Sequence, residues 1–268
     1  MSFYLDCCCV SETGSVRTHN EDNFCFFEEN MPIEHQSSPL LSHCIPSSES
    51  LCVAVFDGMG GEAAGEVASF TAAQELVARA NYTDTWTPRL ISDAYQGMSA
   101  AVLNARKAVK AQTIGTTVAM FCGANGHYII SNLGDSPVFV YQGGSIRQVS
   151  QEDTDRELLQ VLGLTGKSPG LTQFLGMDAD QLIVVPHITE IELTPGTSVL
   201  LCSDGLTSMV EKSAIADVLA KRSPTREKTR LLCDLALDAG GRDNVTIIVC
   251  ECVDSAYEGL DDWRENDD

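Results

Sequence analysis

The segment LCVAVFDGMGGEA, residues 51–63, combines an apolar run, an acidic residue at its end and a glycine-rich turn. The apolar run predicts a buried strand over Leu51–Phe56, and the pattern after the glycines predicts a helix from about Ala63 to Ala80. Asp57 lies where the strand ends, and Gly58 beside it lets a backbone carbonyl approach a bound ion. The segment therefore predicts a strand, turn and helix that present a carboxylate at the turn.

Three further aspartates, Asp135, Asp204 and Asp243, adjoin apolar runs, and each is followed at once by Ser, Gly or Asn. Because strand ends on a rigid scaffold can aim side chains at one point, we expect these carboxylates to meet Asp57. Gathered carboxylates repel one another unless a cation lies between them, and Mg²⁺ or Mn²⁺ prefers such an all-oxygen environment. The four aspartates therefore predict a metal centre.

The rest of the pattern predicts sheets joined by hairpins and helices that come in two pairs. Asn125-Gly126 and Gly143-Gly144 are typical of hairpin turns, and a helix is predicted to begin at Thr87 with Pro88 in its first turn. This order favours packed sheets flanked by helices over a repeated βαβ unit. Later strands are predicted at residues 182–185, 190–193 and 197–202, and later helices at residues 211–222 and 224–239.

We expect a single domain over residues 1–254, because 268 residues with 44% hydrophobic content can bury a large core and no linker divides them. Residues 28–50 carry three prolines and six serines and predict an inserted surface loop. Residues 150–176 lack periodicity and predict a short irregular excursion. Residues 255–268 predict an acidic C-terminal tail.

Charge and cysteine content narrow the expected partners and compartment. The net charge of −21 argues against binding nucleic acid and against an anionic membrane surface. No basic residue precedes Arg17 and no apolar stretch could span a bilayer, so we expect a cytoplasmic protein. Eleven cysteines, an odd number mostly inside apolar runs, are typical of reduced core thiols.

Two nucleotide-binding patterns compete with the metal-centre hypothesis. Residues 58–63 fit the G-x-G-x-x-A pattern, but an aspartate directly before them would face the pyrophosphate and the following chain predicts hairpins. Residues 163–168, GLTGKS, resemble a P-loop, yet only two residues separate their glycines where a P-loop needs four. Both patterns are weaker hypotheses than a metal centre.

A family resemblance rests on an ordered set of motifs spanning roughly residues 11–252. They are RTHNEDNF from Arg17, VAVFDGMGGEAAGEVAS from Val53, GTTVAM from Gly115, NLGDS from Asn132, LTQFLG from Leu171, LLCSDGLTSMV from Leu200 and GGRDNVTIIV from Gly240. Together they resemble the metal-dependent protein phosphatases of the protein phosphatase 2C type, in the bacterial form. The ordered set is far more specific than any single motif.

The resemblance implies an α+β fold, a four-layer α/β/β/α sandwich in which two central antiparallel β-sheets are flanked by pairs of helices. It also implies a centre of two Mn²⁺ or Mg²⁺ ions at one end. Asp57 would bridge both ions, Gly58 would offer its carbonyl, and Asp204 and Asp243 would complete the ligand set. Asp135 matches the ligand of a third, more weakly held ion.

The resemblance further implies that Arg17 binds the substrate phosphate while Glu21 and Asp22 hold metal-bound waters, so that with Asp57 they form the catalytic set. The implied reaction is hydrolysis of phosphoserine and phosphothreonine in proteins by a metal-activated water, without a cysteine or serine nucleophile. The implied partners are phosphoprotein substrates and a bacterial serine/threonine kinase whose action the enzyme opposes, and we expect a monomer.

Three departures from the family pattern bear on function. Met59 occupies the position of a general-acid histidine found in animal members, Pro137 replaces a usual arginine, and the excursion at 150–176 is a shorter flap than usual. A catalytically silent relative that binds a phosphoprotein or regulator is the alternative function. Retention of the acid cluster counts against it, because a binding module has no evident use for repelling carboxylates. Hydrolysis of small phosphoesters is a third hypothesis.

Overall fold

The computed structural model describes residues 3–59, 64–164, 166–167, 169–178 and 183–254. The strands in these ranges are β1 (Phe3–Glu12), β2 (Asn23–Phe26), β3 (Leu41–Pro46), β4 (Leu51–Phe56), β5 (Gly58–Met59), β6 (Gly115–Thr116), β7 (Val118–Ala124), β8 (His127–Leu133), β9 (Val138–Gln142), β10 (Ser145–Gln148), β11 (His187–Ile191), β12 (Ser198–Cys202) and β13 (Val245–Asp254). The helices are α1 (Gly65–Ala80), α2 (Pro88–Val109), α3 (Arg156–Val161), α4 (Asp204–Thr207), α5 (Lys212–Leu219) and α6 (Thr225–Asp238).

Two antiparallel sheets form the centre of the molecule. One has the strand order β10-β9-β12-β13-β1-β3 and the other the order β11-β8-β7-β4-β2, while β5 and β6 form a small separate pair. The longest register joins β1 to β13, from Phe3 opposite Asp254 to Glu12 opposite Val245. A non-local pairing of this kind places the first and last strands side by side inside one sheet.

Three apolar cores separate four layers. One core lies between the two sheets, a second lies between α1–α2 and the five-stranded sheet, and a third lies between α4–α6 and the six-stranded sheet. Along β4, Val53 and Val55 face the core between the sheets, whereas Ala54 and Phe56 face α1 and α2. Both faces of such a strand are buried, which explains its unbroken apolar run. The predicted four-layer α/β/β/α sandwich is confirmed.

Helix α2 begins where the sequence predicts. The Thr87 side chain accepts a hydrogen bond from the Leu90 backbone N–H at 3.3 Å, and Pro88 is the first helical residue. The helix ends at Val109, and the next residue, Lys110, adopts the left-handed conformation with φ 57°. An N-cap hydroxyl satisfies one of the free N–H groups at a helix start, so this boundary is set locally.

The structure corrects several element predictions. Within the predicted loop at 28–50, β3 pairs with the outer side of β1, and its residues are all half-buried, as suits an edge strand without apolar alternation. Within residues 150–176, α3 has no buried residue, so it leaves no apolar period in the sequence. The predicted strand at 182–185 is wrong for Ile183–Val185, since β11 begins only at His187. The predicted tail at 255–268 lies outside the described residues.

No helix in the described part of the chain is long and apolar enough to cross a membrane.

Candidate metal centre

The four predicted aspartates line one cleft of about 660 Å³ at an end of the sandwich. Asp57 follows β4, Asp135 follows β8, Asp204 begins α4 after β12, and Asp243 precedes β13. Both central sheets contribute, because β4 and β8 belong to one sheet and β12 and β13 to the other. The stacking of the two sheets therefore brings together carboxylates that are up to 186 residues apart in the chain.

The other predicted site residues divide between the cleft and the interior. Arg17, Glu21 and Gly58 line the cleft, together with His19 and Met59. Asp22, by contrast, is buried next to the cleft and only 2% exposed. The RTHNEDNF segment thus supplies residues to the cleft wall and one carboxylate behind it.

Two glycines allow the elements that carry the aspartates to approach closely. A Cβ atom on Gly58 would lie 2.3 Å from the Glu21 carbonyl oxygen and 2.4 Å from that of Gly65. A Cβ atom on Gly205 would lie 1.9 Å from the Asn244 carbonyl oxygen. Neither position can hold a larger residue without backbone movement. The glycine after Asp57 and the glycine after Asp204 are therefore steric requirements of the site.

Electrostatic repulsion dominates the cleft. Burial raises the pKa of Asp57 well above its ordinary value, and four neighbouring carboxylates raise it further. These neighbours are Asp22, Asp204, Asp135 and Asp243. A carboxylate in such surroundings is costly to ionise while no cation compensates it.

Two more carboxylates show the same perturbation. Burial raises the pKa of Asp204 to about 6, with Asp135 and Asp243 adding repulsion and Arg17 opposing it. Burial raises the pKa of Asp22 to about 7, against the lowering effect of nearby hydroxyl groups. The Oδ2 atom of Asp22 is buried without a hydrogen-bond partner among the described residues. A buried carboxylate oxygen without a partner favours the protonated, neutral form unless a cation or a hydrogen-bond donor reaches it.

Arg17 supplies one positive charge at the cleft mouth. Its guanidinium donates a hydrogen bond to Oδ2 of Asp243 at 2.8 Å, and the two side chains are 49% and 34% exposed. Glu21 faces the same region, and burial, followed by the nearby Glu66 carboxylate, raises its pKa. A single arginine does not balance this many carboxylates, so the cleft keeps a strong preference for cations.

The donor set fits hard divalent cations. All its charged groups are carboxylates, which Mg²⁺ and Mn²⁺ prefer as ligands. The unpartnered oxygen of Asp22 and the raised pKa values of Asp22 and Asp57 show that nearby protein groups in the described part of the chain do not neutralise these carboxylates. Among the residues that the structure describes, no three His, Cys, Asp or Glu side chains already surround one point as ligands. Mg²⁺ keeps several of its water ligands and is commonly held by one or two carboxylates, so the cleft does not need three converging side chains for each ion.

Asn244 holds two segments of the site together, a role that was not predicted from the sequence. Its Oδ1 accepts a hydrogen bond from the Glu21 backbone N–H at 2.8 Å, and its Nδ2 donates to the carbonyl oxygens of Thr13 and His19, each at 2.9 Å. The only sequence signal was its position directly after Asp243. This buried amide fastens the segment around Arg17 to the start of β13.

Thr117 plays a similar part on the other sheet. Its Oγ1 accepts a hydrogen bond from the Asp57 backbone N–H at 3.1 Å and lies 2.6 Å from Oγ of Ser136. The neighbouring Thr116 hydroxyl donates to the Asp57 carbonyl oxygen at 2.9 Å. These bonds hold the turn after β4 against the turn after β8, and the GTTVAM motif was the signal available for them.

The model of one known family, Protein phosphatase 2C, matches residues 40–237 of the chain. The serine/threonine phosphatase stp of Listeria welshimeri is 29% identical in an alignment 273 positions long that spans 90% of this chain and 93% of that protein. The serine/threonine protein phosphatase PstP of Mycobacterium tuberculosis is 31% identical over 259 residues, covering 92% of this chain but 45% of the longer relative.

Solved structures show the same fold. The catalytic domain of the serine/threonine protein phosphatase PstP, in complex with two manganese ions, superposes with a TM-score of 0.74 at 26% identity, covering 95% of this chain and 100% of that chain. A bacterial serine phosphatase superposes with a TM-score of 0.76 at 23% identity, covering 94% and 99% of the two chains.

Proposed function

The chain belongs to the protein phosphatase 2C family, and from this we propose that it is a metal-dependent protein serine/threonine phosphatase. The reaction is hydrolysis of phosphoserine and phosphothreonine in proteins by water. One observation carries the proposal beyond family membership: Asp57, Asp204 and Asp243 reach the same cleft as Arg17, so cation ligands and a phosphate-binding group share one site.

We propose that Asp57, Gly58, Asp204 and Asp243 hold two Mn²⁺ or Mg²⁺ ions and that Asp135 holds a third, weaker one. The raised pKa values of Asp57, Asp204 and Asp135, and the cleft that all five residues share, support this assignment. When bound, such cations neutralise charge on the phosphoryl group and make a water molecule a good nucleophile near neutral pH.

The protein's own groups bind and orient the substrate. Arg17 is half-exposed at the cleft mouth, and its planar guanidinium can donate two hydrogen bonds to phosphoryl oxygens. The Asp243 carboxylate, which accepts from that guanidinium, holds it over the acid cluster. Glu21 at the cleft wall and Asp22 behind it orient water molecules through their carboxylate oxygens.

The leaving alkoxide needs a proton, and Met59 cannot provide one. Met59 lines the cleft, and the family resemblance places it where animal members carry a histidine. Its thioether does not titrate, so we propose that water protonates the leaving group. The pH–rate profile should then lack the decline at higher pH that deprotonation of a general-acid imidazole would cause.

Metal-stripped protein titrated with Mn²⁺ and Mg²⁺ against a phosphothreonine peptide tests the function. We expect phosphate release that depends on added metal and stops with chelator. Metal binding without turnover would support the alternative function, a catalytically silent phosphoprotein-binding relative. A higher kcat/KM for p-nitrophenyl phosphate than for every phosphopeptide would favour small esters as substrates.

We also propose that the enzyme opposes a serine/threonine kinase, acts as a monomer and works in the cytoplasm. All eleven cysteines lie within the described residues and are free thiols, which supports a reducing compartment. The net charge of −21 disfavours nucleic acid and anionic membranes as partners.

A further inference from the structure

Asp153 is a buried carboxylate that lies between β10 and α3, outside the proposed ligand set. Its side chain is 7% exposed. Oδ2 accepts a hydrogen bond from the Gly134 backbone N–H at 2.9 Å. Oδ1 accepts from Nε2 of Gln173 at 2.9 Å and lies 2.9 Å from Nε2 of His187. Because a carboxylate oxygen accepts from an N–H group, this contact requires the His187 tautomer that carries its proton on Nε2. Three segments of the chain therefore meet on one side chain.

The main chain of Asp153 is also hydrogen-bonded to two of these segments, the one at Gly134 and the one next to Gln173. Its N–H donates to the Gly134 carbonyl oxygen at 3.0 Å, and its carbonyl oxygen accepts from the Thr172 N–H at 2.7 Å. Asp153 is thus bonded twice to the end of β8 and twice to the segment that closes the flap at residues 150–176. A residue held this way fixes the relative position of both segments.

The β8 connection reaches the metal centre within one residue. Gly134 directly precedes Asp135, which lines the cleft. The next residue, Ser136, contacts the Thr117 hydroxyl, which in turn accepts from the Asp57 backbone N–H. Movement of Gly134 would therefore shift Asp135 directly and reach Asp57 through two hydrogen bonds.

The flap connection extends in the other direction. Oε1 of Gln173 accepts a hydrogen bond from the Val185 N–H at 3.3 Å, and His187 is the first residue of β11. Asp153 lies near the start of the flap, Gln173 lies near its end, and His187 lies beyond it. One carboxylate therefore fastens all three segments to the strand end that carries Asp135.

We propose that Asp153 is a positioning residue that holds Asp135 toward the cleft and joins the two legs of the flap to it. The proposal rests on the proposed function. Position 153 requires a carboxylate, because three donors converge on its two oxygens. An asparagine has one acceptor oxygen, and its amide would face a donor.

Asp153→Asn, with Asp155→Asn as the matched control, tests the proposal. Asp155 also joins the flap, accepting from the Gly170 N–H at 2.7 Å, and none of its side-chain bonds reaches Gly134. We expect Asp153→Asn to raise half-saturating Mn²⁺ about tenfold and to lower kcat on both phosphopeptide and p-nitrophenyl phosphate. Asp155→Asn should stay within about twofold of the parent on all three measures.

Two readouts do not need turnover. Hydrogen exchange of the peptide covering residues 127–137 should quicken in metal-free Asp153→Asn and not in Asp155→Asn. Calorimetric Mn²⁺ titration should show weaker binding in the same variant. If the parent binds Mn²⁺ but never releases phosphate, these two differences still support the positioning role while the proposed function fails. Identical exchange and Mn²⁺ binding in the two variants would overturn the proposal.

A second pair keeps the test decisive if Asp153→Asn does not fold. His187→Ala removes one donor to Asp153, whereas His187→Gln places an amide Nε2 near the imidazole Nε2 position. We expect the alanine variant to need more Mn²⁺ and the glutamine variant to recover most of the loss. A merely structural role predicts no such recovery, and equal Mn²⁺ dependence in both variants and the parent contradicts the inference.

Discussion

At the residue scale, the site depends on carboxylates that repel one another when they are ionised. Burial and mutual repulsion raise the pKa of Asp57, Asp204 and Asp22 together. A fold keeps such a cluster only if something compensates its charge, and the chemistry of the donors points to divalent cations. Each carboxylate is therefore open to a test of its own.

Asp204→Asn should abolish turnover and leave the protein folded, because the amide matches the carboxylate in size but supplies a weaker ligand. We expect kcat to fall by at least about a hundredfold, measured on a phosphothreonine peptide at saturating Mn²⁺. Asp217→Asn, at an exposed position of α5, is the control and should keep parental activity. Undiminished turnover in Asp204→Asn would refute the assignment of this residue as a ligand.

The metal-free protein should lose stability as pH rises. The pKa of Asp204 is raised to about 6 and that of Asp22 to about 7, so the folded state binds more protons than the unfolded chain. The stabilisation is complete below the ordinary carboxyl pKa of about 4 and is lost as pH rises through about 6 to 7. Melting curves in EDTA should give a lower Tm at about pH 8 than at about pH 5.5.

Saturating Mn²⁺ supplies the control for that pH series, since a bound cation keeps the carboxylates ionised at both pH values. The Tm difference should shrink or reverse when metal is present. A metal-free Tm that stays flat or rises toward pH 8 would show that these carboxylates are not protonated in the folded apoprotein.

At the element scale, the junctions between strands and helices carry the site. Gly205 lies in the first turn of α4, where its lack of a side chain lets Asp204 approach the Asp243–Asn244 segment. Gly58, between β4 and α1, meets the same steric constraint, because a Cβ there would lie 2.3 Å from the Glu21 carbonyl oxygen. The elements could form without these contacts, but their ends would not converge.

Gly205→Ala should therefore damage both stability and metal binding. Its Cβ would lie 1.9 Å from the Asn244 carbonyl oxygen, so the backbone must separate there. We expect a loss of about 2–4 kcal/mol in the free energy of unfolding, measured by urea denaturation, together with weaker Mn²⁺ binding. Gly170→Ala, whose Cβ would meet nothing closer than 4.0 Å, should change neither quantity appreciably. Wild-type Mn²⁺ affinity in Gly205→Ala would contradict the close-approach argument.

At the scale of the whole molecule, metal binding should stabilise the sandwich, because the proposed ligands come from both central sheets. Cations that bind only the folded state raise Tm by mass action, and saturation near 100 times Kd should add about 5–10 °C. Scanning calorimetry before and after EDTA treatment, with metal loss confirmed, measures the shift. An unchanged Tm would argue against cations that tie the two sheets together.

The sequence predicted most regular elements because their signals are local. The Thr87-Pro88 start of α2 and the unbroken apolar run of β4 each follow from side chains within a few residues. β3 and α3 were missed for the opposite reason. β3 is an edge strand stabilised by pairing with β1, and α3 buries no side chain, so neither leaves a periodic pattern.

The sequence by itself determined the set of acids, the glycines beside Asp57 and Asp204, and the family whose motifs they form. These depend on residue type and spacing, which the chain states directly. Only the tertiary structure decided that Asp22 lies buried behind the cleft, that Asn244 fastens the Arg17 segment, and that Asp153 joins the flap to the end of β8. Each of these depends on burial or hydrogen bonds between segments that are separated in the chain, and such contacts form only when the strands and the flap pack together.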